Sequence, residues 1–134
     1  MSEDAVLDAS ALIALLLGEP GCEVVEAVMP GAMISAVNLA EVVSKLTEGG
    51  VPSQDAYAAT MEAGPRVVDF TAEQVEFVGR LRGLTRSHRL SLGDRCCLAL
   101  GKQKGARILT TDRAWLKVAG EIGVQVTLIR TGAN

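Results

Sequence analysis

The sequence predicts an α/β fold in which a mostly parallel sheet is covered on both faces by helices. Short apolar runs alternate with segments of helical periodicity along the whole chain, and Gly, Pro and capping residues punctuate the transitions. The length of 134 residues, with no internal repeat and no recognisable linker, suits one domain, residues 1–134, built around one core.

In chain order, residues 5–7 read as a short buried strand. Residues 10–17 follow as an apolar helix that stops at Gly18 and Pro20, and a short helix is expected over 23–28. Pro30 and Gly31 break the chain before a strand at 32–34, after which Ser35 can cap a helix reaching Glu48. Leu39, Val42, Val43 and Leu46 recur at helical spacing and should face the core, and Gly49, Gly50 and Pro52 end that helix. Residues 53–63 look helical and 66–69 extended. Thr71-Ala72-Glu73-Gln74 has the capping-box pattern, so the next helix should start there, bury Val75, Val78 and Leu81, and end near Gly83 or Leu84. A basic loop, residues 85–90, leads to Ser91-Leu92-Gly93-Asp94, a second capping pattern directly before the apolar CCLALG. Asp94 thereby falls in a first helical turn, where orphan amides and the helix dipole favour its charged form. Residues 107–109 form a strand, Trp115 and Leu116 a short helical turn, and residues 124–129 a last strand.

A composition of 49% hydrophobic and 22% charged residues supports a real core in a soluble chain. Aromatics are only Tyr57, Phe70, Phe77 and Trp115, too few for a module that stacks successive bases. Cys22, Cys96 and Cys97 make neither a CxxC pair nor a disulfide framework, so a reducing cytoplasm is the expected compartment. The run AVLDASALIALLL is interrupted by an acid, lacks a basic segment before it, and is shorter than the roughly 20 residues of a membrane span, so no membrane association is expected. The net charge of −3 conceals an asymmetry: residues 1–79 carry 2 Lys/Arg against 13 Asp/Glu, whereas residues 80–134 carry 11 against 3. The basic half can focus a positive potential toward a polyanion although the whole chain is acidic.

Four acids stand in contexts that suggest chemistry. Asp8 lies between an apolar strand and an apolar helix, at the edge where open α/β sheets gather ligands. Glu41 sits early in a helix among apolar neighbours, Asp94 in a first helical turn, and Asp112 just after a strand. Each also has a structural reading: Asp8 as an N-cap, Glu41 as a solvated face, Asp94 as part of a capping box, Asp112 as the cap of the following turn. Adjacent parallel strands would bring all four to one end of the sheet. Carboxylates gathered closely oppose one another's charge, and a hard divalent cation resolves the conflict. Oxygen ligands and a phosphate substrate favour Mg²⁺ or Mn²⁺ over zinc, for which no Cys/His set is present. Arg86, His88 and Arg89 are candidates for phosphate contacts, with Arg95 and Arg113 as further basic candidates; a solvated loop is the alternative for the first three, and His88 otherwise reads as an ordinary surface residue.

The segments LDASALIALLL, SAVNLAEVVSKL, LSLGDRCCLALG and ILTTDRAWLK together resemble a PIN domain, specifically a VapC-type toxin nuclease, over nearly the whole chain. The resemblance implies a three-layer α/β/α fold with a central five-stranded parallel sheet. It implies Asp8, Glu41, Asp94 and Asp112 as catalytic and metal-binding acids, with Ser10 and Thr111 supporting the first and last. It also implies Mg²⁺ or Mn²⁺ dependence, an RNA substrate, homodimerisation, and inhibition by a small cognate antitoxin. Metal-assisted hydrolysis at such a site is expected to leave 5′-phosphate and 3′-hydroxyl ends. The rival readings are a structure-specific DNA nuclease and a catalytically silent RNA-binding protein. A response-regulator-like phosphoacceptor domain fits less well, because ILTTDRAW supplies an acid where a lysine would be needed.

Overall fold

The computed structural model describes residues 4–84 and 89–130. β1 (Ala5–Leu7) ends at Asp8, whose carboxylate accepts from the Ala11 amide at 2.8 Å and so caps α1 (Ala9–Leu17). Gly18 closes that helix in the left-handed region, at φ 66°. After the short α2 (Cys22–Glu26), β2 (Met33–Ser35) ends on Ser35, whose hydroxyl accepts from the Val37 amide and caps α3 (Ala36–Glu48). α4 (Ser53–Glu62), β3 (Arg66–Val68) and α5 (Ala72–Leu84) follow. α6 (Leu92–Lys104) opens with the reciprocal Ser91/Asp94 capping box, and β4 (Arg107–Thr110), α7 (Trp115–Ile122) and β5 (Val126–Leu128) complete the order.

The five strands are all parallel, in the order β3-β2-β1-β4-β5. From β1 the chain builds outward through β2 to β3, then crosses back to lay β4 on the other side of β1. The reversal of direction between β1 and β4 opens a crevice at the carboxyl ends of the central strands, where open α/β sheets bind ligands. Register sorts the side chains: Val6 is level with Met33 and Ile108 on one face, Leu7 with Ile34 and Leu109 on the other. The first face packs on Leu98 and Leu100 of α6 and Val118 of α7, the second on Leu12 of α1, Val25 of α2 and Val42 of α3. The result is three α/β/α layers with a core on each side of the sheet. Gly101 permits the close approach of α6 to β4, because a Cβ there would overlap the Ile108 side chain.

Several local expectations are corrected by packing. Val75 is 55% exposed, and the buried stripe of α5 runs Gln74, Val78, Leu81. Gln74 takes the inward position because its amide donates to Gln103 of α6 at 2.6 Å, so its side chain does not complete a capping box with Thr71. The turn expected at Trp115 is an eight-residue helix that buries Trp115, Val118, Ala119 and Ile122. The last strand is shorter than expected, and Val43 and Leu46 are only half-buried. Among the described residues no helix is long and apolar enough to cross a membrane.

Candidate metal centre at the carboxyl edge of the sheet

Asp8 leaves the end of β1 with its amide donating to the Leu109 carbonyl at 3.1 Å, so it stands beside the end of β4. It is only 7% exposed, and its charge is held by donors from both strands' ends. One carboxylate oxygen accepts from the Ser10 hydroxyl at 2.7 Å and from the Ala11 amide, the other from the Thr110 hydroxyl. The hydroxyls form two short relays. The Asp112 amide donates to Thr110 Oγ1 at 3.0 Å, and the Thr111 amide donates to Ser10 Oγ at 3.1 Å. The backbone after β4 is thereby tied to Asp8 through both oxygens.

Thr111 therefore supports the site through its amide and lines the cleft, while the hydroxyl that reaches Asp8 is that of Thr110. Two adjacent threonines left this choice open in the sequence. It is settled by register, which sets Leu7 level with Leu109.

Burial pushes the Asp8 carboxyl up from 3.8 to about 6, with the nearby Asp94 charge adding to the rise and the Thr110, Ser10 and Ala11 hydrogen bonds opposing it. Beneath the site, burial also drives the Cys97 thiol well above its ordinary range, reinforced by Asp8, Asp94 and Glu41. Cys97 accordingly stays a neutral thiol and packs as core.

Asp8, Glu41, Asp94 and Asp112 line one cleft of about 190 Å³, together with Ser10, Asn38, Lys45, Thr111 and Trp115. Each of the three outer acids is already engaged. Glu41 accepts from Asn38 Nδ2 at 2.8 Å, Asp94 from the Ser91 amide at 3.0 Å, and Asp112 from the Ala114 amide at 2.9 Å. The capping roles readable in the sequence for Asp8, Asp94 and Asp112 thus coexist with their place in the cleft. They also explain why, among the described residues, no three Asp, Glu, His or Cys side chains are drawn together as a ready-made metal cluster. The expectation of closely clustered carboxylates is corrected to that of carboxylates around one cavity.

Gly93 and Asn38 position Glu41. A Cβ on Gly93 would overlap the Glu41 carboxylate, and Asn38 Nδ2 bridges Glu41 to the Gly93 carbonyl at 3.0 Å. Sequence reasoning missed Asn38, although it stands three residues before Glu41, on the same helical face. Its Oδ1 is buried without a hydrogen-bond partner while the residue lines the cleft, and Trp115 Nε1 is likewise unpartnered there. Four carboxylates around one cavity, with no thiol or imidazole lining it among the described residues, suit a hard divalent cation.

Of the basic candidates, Arg89 and Arg113 are exposed, and Arg89 adopts φ 55°. Arg95 is half-buried and donates to the Val78 carbonyl at 3.0 Å, bracing α5 against α6. Arg86 and His88 lie outside the described residues.

A parallel sheet with four carboxylates around a cleft at its switch point defines an α/β protein with an acidic, oxygen-donor site. The PIN domain model matches residues 5–121, and the chain belongs to the PIN domain family of nucleases. PIN nucleases generally use divalent metal ions. Solved structures share the fold at low identity. A toxin–antitoxin complex from Klebsiella pneumoniae aligns with TM-score 0.73 and 20% identity over 95% of this chain and 98% of that one. VapC20 of Mycobacterium tuberculosis, described as a Sarcin-Ricin loop cleaving toxin, aligns with TM-score 0.73 and 20% identity over 86% and 95%. DNA-bound VapBC from Salmonella typhimurium aligns with TM-score 0.72 and 12% identity over 96% and 100%. No curated protein matches by sequence.

Proposed function

We propose that this chain is a divalent-metal-dependent endoribonuclease, acting as one domain and as the toxin of a type II toxin–antitoxin pair. The observation that carries the reading is the convergence of Asp8, Glu41, Asp94 and Asp112, from four separate segments, on one cleft at the sheet's switch point. Asp8, Glu41, Asp94 and Asp112 would hold Mg²⁺ or Mn²⁺. A bound ion of this kind supplies Lewis acidity to phosphoryl oxygens and lowers the pKa of a coordinated water.

The chain's own contribution is preorganisation. Ser10 and Thr110 fix both oxygens of Asp8, Asn38 and Gly93 hold Glu41 at the cleft, and the Ser91 cap orients Asp94. Trp115 and the surrounding core limit water around Asp8. Arg89 and Arg113, both exposed, are available to the RNA backbone. Direct attack of water leaves 5′-phosphate and 3′-hydroxyl ends. The toxin role and a small antitoxin partner draw on the toxin–antitoxin complexes that share the fold. Homodimerisation draws on α4, where Tyr57 is 52% and Met61 36% exposed, while Ala56 and Thr60 of the same helix are buried in the monomer.

The test induces wild type and Asp94→Asn in cells, maps new RNA ends, and repeats cleavage in vitro with Mn²⁺, Mg²⁺ or EDTA, using matched DNA as control. Asn keeps the size of Asp94 and much of its capping ability, so cleavage should fall by at least roughly 10²-fold while the fold persists. Equal cleavage by the folded variant, or cleavage indifferent to EDTA, overturns the reading.

A further inference from the structure

The carboxylates do not account for every charge in the cleft. Asn38, Glu41 and Lys45 form one stripe of α3, spaced i, i+3 and i+7, and all three line the cavity. Lys45 is the only Lys or Arg doing so among the described residues. A Glu/Lys pair at i,i+4 on a helix surface ordinarily closes on itself. Here Glu41 is engaged by Asn38, and the Lys45 ammonium makes no hydrogen bond or ion pair among the described residues. Lys45, exposed and unpaired among the described residues, therefore lines a cavity that four acids also line.

As structure, Lys45 does no more than complement the dipole of α3 from its last turn. It neutralises no particular acid and packs no core, and its long stem leaves the charge free to move. A compact, flexible point charge is suited to a phosphate oxygen, and one beside the metal-holding acids meets the phosphate at the reacting position. In the absence of RNA the same charge opposes the entry of a divalent cation.

We propose that Lys45 is a substrate-contacting residue of this site, its ammonium holding a non-bridging oxygen of the RNA phosphate undergoing cleavage. The inference rests on the endoribonuclease reading and adds to it a residue outside the acidic set. It requires two effects of opposite sign. Replacing Lys45 with Gln removes a repelling charge and should tighten Mn²⁺ binding by about threefold to fivefold without RNA, as expected for like charges several ångströms apart in a wet cleft. The same change removes a phosphate contact and should lower kcat/KM by roughly 10–100-fold.

The experiment uses the full chain. Titration calorimetry reads Mn²⁺ affinity of wild type, Lys45→Gln and Lys45→Arg without RNA, and thermal melts confirm that the exposed substitutions leave the fold intact. RNA affinity is read in an Asp94→Asn background with a labelled mixed-sequence single-stranded RNA at several salt concentrations. Lys45→Gln should reduce the slope of log affinity against log salt by about 0.7, one phosphate contact on a single strand, whereas Lys45→Arg should retain it. Cleavage of total cellular RNA in Mn²⁺ completes the set. Wild type that leaves this RNA intact overturns the nuclease reading and Lys45's role with it. Wild type that cleaves, with Lys45→Gln equal in rate, Mn²⁺ affinity and salt slope, overturns the role of Lys45 alone. A slower Lys45→Gln with neither Mn²⁺ affinity nor salt slope altered also overturns it, because a merely structural defect would do that.

Discussion

Replacing Asp8 with Asn should stabilise the metal-free protein at neutral pH while abolishing its activity. The rise of the Asp8 carboxyl from 3.8 to about 6 means that the folded state opposes its ionisation. Integrated over that interval, the ionised form costs about 3 kcal/mol of folding stability at neutral pH. Asn removes the charge and keeps an oxygen for the Ala11 amide, preserving the cap of α1. It leaves the Thr110 hydroxyl without its carboxylate acceptor, a loss of about 1 kcal/mol. The net gain is about 1–2 kcal/mol, or roughly 3–8 °C in Tm for a domain of this size. The sign depends on pH. Well below pH 3.8, Asp8 is protonated in both folded and unfolded chains, no ionisation penalty exists, and Asn is equal or slightly worse. As pH rises from 3.8 to about 6 the unfolded chain releases this proton while the folded chain keeps it, so wild-type stability falls relative to Asn; above that window the difference is constant. All other titrating groups are shared and largely cancel in the comparison. Urea denaturation of both proteins in EDTA, from about pH 4 to pH 8, reads the crossing directly. Adding Mn²⁺ at neutral pH should then raise the wild type far more than the variant, because only a state that binds the ion is stabilised by it. A variant less stable than wild type at neutral pH in EDTA, or a stability difference that does not change with pH, would refute the burial argument.

Two other substitutions probe the positioning of the acids. Gly93→Ala should leave Tm within a few degrees of wild type, because the group its Cβ would meet is the mobile end of Glu41, yet cleavage of total RNA should fall about tenfold or more as Glu41 is pushed from the cleft. Unchanged cleavage by the folded variant would show that Glu41 needs no such placement. Thr110→Val keeps the shape and removes the hydroxyl shared by Asp8 and the Asp112 amide, so urea denaturation at neutral pH should show a loss of about 1–3 kcal/mol. An unchanged denaturation midpoint would mean that this relay contributes nothing to the fold.

Local signals determined much of this protein before any packing was considered. Alternating apolar runs and helical periods placed the five strands, and Ser35 and the Ser91/Asp94 pair marked helix starts that the structure reproduces. These features depend on contacts within a turn or two of chain, so neighbouring residues suffice to encode them. Asp8, Glu41, Asp94 and Asp112 were legible for the same reason, each standing beside a recognisable strand end or helix start. Their meeting at one end of the sheet was expected from parallel strand pairing, but the placement that delivers it depends on β4 crossing back to lie against β1. Tertiary structure alone assigned the Asp8 contact to the Thr110 hydroxyl, turned Gln74 inward in place of Val75, committed Arg95 to the Val78 carbonyl, and brought Asn38 and Lys45 into the cleft. Each is a choice between neighbouring residues of similar local propensity. Strand register and helix rotation make that choice, and both are set by burial of apolar surface from distant segments, so no short stretch of sequence contains the answer.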